Sequence, residues 1–130
     1  MKLNKQLKLG LLFCLSLGAA PLQANTAANG TWLLGLCSGL INSTASTPGN
    51  NYCAGFIQGV MLSWYTAQTQ VNPQGAAFWI DQFGMVPAIS SAQAVVKYLT
   101  QNPQILNQSA VSIIISVINQ NYPIPPATGS

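Results

Sequence analysis

Apolar residues recur at spacings of three and four in four stretches of this 130-residue chain. That period marks helices that bury one face. Trp32, Leu33, Leu36, Leu40 and Ile41, with Thr31 as N-cap, predict a first helix of about twelve residues. The Ser, Thr, Pro, Gly and Asn cluster at 42–51 then reads as a loop. Tyr52, Phe56, Ile57, Val60, Met61 and Trp64 predict a longer second helix over 51–69. Ala92, Val95, Val96, Tyr98 and Leu99 predict a third, capped by Ser90 or Ser91 and ended by Asn102 and Pro103, with Pro103 opening one short turn. Val111, Ile114, Ile115 and Ile118 predict a fourth over 107–121, stopped by Pro123, Pro125 and Pro126. The β-branched run 112–118 also fits a strand, but no second convincing strand exists to pair with it. The expected fold is all-α, a compact four-helix domain.

Two features do not follow from the periodicity. Gly35 and Gly39, and Gly55 and Gly59, lie four apart on predicted helices, where each glycine costs about 1 kcal/mol against alanine. Close approach of two helix backbones would explain both pairs, with no dimerisation signal implied. Residues 71–87 are interrupted by Pro73, Gly75, Gly84 and Pro87 and read as irregular, yet they carry Phe78, Trp79, Ile80 and Phe83. A segment this apolar either folds back on the core, as a loop or short helix, or meets a partner. Phe78, Trp79, Asp81 and Phe83 are the candidate partner-binding residues, and a core role for Trp79 stays open beside that one.

The start of the chain has the parts of a secretory signal. Lys2, Lys5 and Lys8 precede the apolar run 9–20, and Ala24 offers a small residue at the cut. The run is shorter than the ~20 residues that a spanning helix needs. It is apolar on every face, which argues against an amphipathic helix of a cytosolic protein. Cys14 follows Phe13 where a lipid-attachment signal wants a small residue, so it reads as part of the signal. The expected organisation is a signal peptide at 1–24 and one domain at 25–130.

Removing that leader leaves Lys97 and Asp81 as the charged side chains, with no His, Arg or Glu anywhere in the chain. Nucleic acid and anionic membranes are poor partners, since both need several cations. General acid–base work and nucleophilic catalysis lack their residue types, so no enzyme, no cofactor and no metal is expected. Almost nothing titrates between about pH 5 and pH 9, which argues against a pH-switched role. Solubility then rests on Asn, Gln, Ser and Thr. Three glycosylation-type triplets, starting at Asn29, Asn42 and Asn107, are expected by chance in such a composition and receive no function. Cys37 and Cys53 remain, and export makes a disulfide between them the default, against two separate buried thiols. The residues do not say whether it lies within one chain or across two.

Trp32-Leu-Leu-Gly-Leu-Cys37, Tyr52-Cys-Ala-Gly-Phe-Ile-Gln-Gly59, Met85-Val-Pro87, Gln93 and Val95-Val-Lys-Tyr-Leu-Thr-Gln-Asn-Pro103 occur in an order and spacing that resembles the Rap/Tai-type immunity proteins. The resemblance implies an all-helical periplasmic domain, often dimeric, that binds a peptidoglycan amidase toxin of type VI secretion and blocks its active site. It also implies two further cysteines, at whose positions this chain has Met85 and Ile124. An apolar contact is therefore expected to hold the loop that carries Met85 to the C-terminus. Family members are usually richer in acidic residues, so affinity here would rest on shape and aromatic anchors. The competing expectation is a non-catalytic envelope module of the same fold with no toxin partner.

Overall fold

A computed structural model describes residues 28–127 apart from Met85, and only the backbone of Gln82 and Phe83. The expected leader at 1–24 lies outside the described residues. The described chain forms five α-helices: α1 (Gly30–Leu36), α2 (Pro48–Val71), α3 (Pro73–Phe83), α4 (Ala88–Gln101) and α5 (Ala110–Asn121). Tight 3-10 turns occupy Ser38–Leu40 and Pro103–Ile105. A lone bridge between Asn29 and Ser109 is the extended pairing among the described residues, and the β-branched run is helical. The all-α class holds. The correction is a fifth helix, α3, in the segment read as irregular.

Two prolines taken for interruptions open helices instead. Thr47 Oγ1 accepts from the Asn50 N–H at 3.2 Å, with Pro48 at the first helical position. Asn72 Oδ1 accepts from the Gly75 N–H at 3.0 Å, with Pro73 in the same place. A proline there sacrifices no hydrogen bond, because the first helical N–H groups have no partner within the helix, and its φ is already helical. α2 therefore begins at Pro48 rather than Asn51. At α1 the cap is Asn29 rather than Thr31, through Oδ1 and the Trp32 N–H at 2.9 Å. α4 begins at Ala88 with no side-chain cap, and Ser91, expected at the cap, is buried with its Oγ unpartnered among the described residues.

α2 is the spine and touches all four other helices. Its Cys53, Ala54, Ile57 and Met61 join one core with Leu33 of α1, Val95, Val96 and Leu99 of α4, and Ile113, Ile114, Val117 and Ile118 of α5. Burying an aliphatic side chain of this size stabilises by roughly 1.5–3 kcal/mol. The first turn of α1 is completed by the segment before α5. The Gly30 N–H donates to Gln108 O and the Thr31 N–H to Leu106 O, both at 3.0 Å. A Cβ at Gly30 would sit 2.9 Å from Leu106 Cα and from Ile113 Cδ1, so this approach needs a glycine. Cys37, at the end of α1, bonds to Cys53 of α2 within one chain, and both are fully buried.

Trp79 binds α3 to the rest. It is 3% exposed, stacks on Tyr65 with ring centres 5.5 Å apart, and meets the Trp64 ring edge-on at 6.1 Å. Its Nε1–H donates to Tyr122 O at 2.8 Å, and Asn72 Nδ2 donates to Pro125 O at 2.7 Å. The C-terminal tail is thus laid against the start of α3. A Cβ at Gly75 would come 2.6 Å from Pro125 O and 2.7 Å from Ile124 Cγ2, which requires glycine at this contact. Ile124 packs at Gly75, whereas Met85, its expected partner, lies outside the described residues.

Replacing Cys37 and Cys53 together by serine should lower unfolding stability by about 3 kcal/mol in a urea titration. Trp79→Ala, which empties a buried aromatic site, should cost about 3–5 kcal/mol in the same measurement. A loss below about 1 kcal/mol would be that of an exposed side chain and would contradict the burial described.

Candidate functional site

Residues three apart on a helix share a face, while the next residue is turned by about 100°. On α3 this puts Phe78 and Asp81 side by side on the outer face and directs Trp79 inward. Phe78 is 50% exposed and Asp81 is exposed. Of the four residues selected from the sequence, the structure brings Phe78 and Asp81 together on the surface. Trp79 takes the core role, and Phe83 contributes the backbone that ends α3.

Two neighbours were not selected. Ile80 and Leu62 are 41% and 53% exposed, and with Met61, Trp79 and Val86 they line a crevice of about 40 Å³. The signal for Leu62 was its absence from the inward series of α2: a large aliphatic residue off the buried register is available to a partner.

The glycine pairs behave differently from expectation. At Gly35, Gly55 and Gly59 an added Cβ would meet nothing within 4 Å. Gly55 and Gly59 open into a groove of about 640 Å³, continued by Ser63 and Ala67 and walled by Phe56, Val60 and Trp64 with Val111 and Ile115 of α5. Only Gly39 of the four makes a close approach, to the buried Asn50 side chain, whose Nδ2 donates to Ala45 O at 2.9 Å. Small residues at helical spacing announce a bare strip of backbone. They do not say whether the fold covers it.

These surfaces offer apolar area, amides and one carboxylate. Asp81 is the sole carboxylate side chain of the chain, Lys97 is exposed on α4, and the described residues hold no group of three or more metal-ligating side chains. Among them, no helix is long and apolar enough to cross a membrane. A half-exposed aromatic beside a carboxylate on a well-anchored helix suits recognition by apolar burial with one polar contact.

No curated protein and no solved structure matches the chain. A family model described as Rap1a immunity proteins matches residues 29–124, which run from the cap of α1 to the docked tail. The chain belongs to the Rap1a immunity protein family.

Proposed function

We propose that the protein works in the periplasm, where it binds a peptidoglycan amidase toxin delivered by type VI secretion and occludes its cleft with the outer face of α3. The observation that carries this reading is the display of Phe78 and Asp81 on a helix whose other face is pinned by Trp79. Pinning matters because a rigid ridge loses little conformational freedom on docking. Phe78 supplies the apolar anchor. Asp81 supplies carboxylate oxygens as acceptors for a donor in the cleft. Ile80 and Leu62 extend the contact at its edge. Family membership supports the immunity role, and the basic and apolar leader at 1–24 supports export.

For the dimer that the family resemblance implies, the α2–α5 groove is the surface we propose. Neither α2 nor α5 carries a charged residue, so two copies related by a two-fold axis would meet without repulsion, backbone strip against backbone strip. A charge-poor envelope module with no toxin partner competes with the inhibitor reading. An adjacent gene for a secreted amidase favours inhibition, and its absence favours the module.

Phe78→Ala and Asp81→Asn should each weaken binding to the cognate amidase by about tenfold or more, or ~1.4 kcal/mol, in calorimetric titration, and Phe78→Ala should leave the melting temperature unchanged. Wild-type affinity in both variants would move the docking surface off α3. In sedimentation, the protein should run as a dimer and Gly59→Glu as a monomer, because the substitution sets two like charges against each other across the axis.

A further inference from the structure

The C-terminal half of α2 carries Trp64 and Gln68 one turn apart on one face, and Asn72 follows at the cap between α2 and α3. Asn119 of α5 and the tail at 123–126 stand opposite, leaving a cleft of about 410 Å³. This lies within the roughly 300–1,000 Å³ of small-molecule sites. We infer that this cleft binds an uncharged sugar, an N-acetylhexosamine unit of a glycan.

The lining selects that chemistry by exclusion and by fit. It contains no charged residue, so an ionic ligand would lose hydration without gaining a counter-charge. The side-chain amides of Gln68 and Asn119 make no hydrogen bond among the described residues, and each presents a donor and an acceptor. A purely apolar ligand would strip these amides of water and leave them unpaired, at a cost of about 1–3 kcal/mol for each group so buried. A pyranose meets both demands. Its C–H face lies against an indole such as Trp64, and its hydroxyl and acetamido groups pair with side-chain amides. A peptide that binds by strand addition would need an open strand edge, and the described residues provide none.

The cleft is also set in advance. Asn72 uses both ends of its amide on the protein, accepting from the Gly75 N–H and donating to Pro125 O, and so locks one wall against the other. Pro123, Pro125 and Pro126 stiffen that wall by fixing φ. The site shares none of the α3 surface residues on which the toxin reading rests, so either reading can fail without the other.

The test is a nuclear magnetic resonance titration of the oxidised protein with the β-linked trimer of N-acetylglucosamine. The Trp64 indole N–H should shift saturably with a Kd near ~1 mM, while that of Trp32 stays in place. Gln68→Ala combined with Asn119→Ala should weaken binding at least about tenfold with an unchanged melting curve. Asn119→Ala alone, at an exposed position, should lose part of the affinity, and Ser116→Ala, exposed on the same helix outside the cleft, should lose none. No shift up to about 20 mM trimer, or undiminished affinity in the double variant, overturns the inference. So does tighter binding of a capped, uncharged alanine–proline peptide, which would make the cleft a peptide groove.

Discussion

The Trp79 indole touches three separate parts of the chain, and the surfaces of interest depend on all three. Its ring lies on Tyr65 and against Trp64 of α2, its backbone belongs to α3, and its N–H holds the carbonyl of Tyr122 in the tail. A buried tryptophan needs a partner for its one donor, and here that need sets where the tail runs. Among the helices α3 packs chiefly on α2, and Trp79 is a tie from α3 to the tail as well. The outward face bearing Phe78 and Asp81 is thus a consequence of the inward face.

Charge poverty shapes the helices as much as it limits the chemistry. Among the described residues no helix has an acidic residue in its first turn or a basic one in its last, so the helix dipoles receive no favourable side-chain charge. Carboxamides do this work instead. Asn29 and Asn72 cap N-termini through Oδ1, while Asn102 and Asn121 donate through Nδ2 to Tyr98 O and Val117 O, both at 2.8 Å, near C-termini. An amide does not titrate, so the caps keep their strength across a wide pH range.

The helical class, the main helices and the disulfide were legible because period and spacing are local properties. Where the reading departed from the structure, the deciding term was positional or tertiary. Pro48 and Pro73 break a helix or begin one according to whether the preceding residue can cap it, and Thr47 and Asn72 both do. Gly55 and Gly59 fit a covered backbone strip as well as an open one, and only the packing of α5 beside them decides. The α3 surface was half legible. The apolar residues of 78–83 marked a segment of consequence, but separating Phe78 from Trp79 needed the helix that the glycines and prolines had concealed. The cleft at Trp64 was hidden for another reason: Asn119 and the tail reach it from more than forty residues along the chain.

The pair of cysteines that the family resemblance implies at positions 85 and 124 would tie the tail covalently, and here the tail is tied by other means. A disulfide acts largely on the unfolded chain and contributes about 2–4 kcal/mol. Two side-chain hydrogen bonds contribute roughly 0.5–1.5 kcal/mol each, and the packing of Ile124 at Gly75 adds to them. The totals are similar in size but differ in kind. A covalent tie survives every local fluctuation, whereas hydrogen bonds and an apolar contact can release together while the core of α1, α2, α4 and α5 stays folded. The ties of the tail in this chain are therefore of the non-covalent kind. The wall of the Trp64 cleft and the restraint on α3 both lie on the tail, so the same hydrogen bonds that hold α3 in place also shape the cleft.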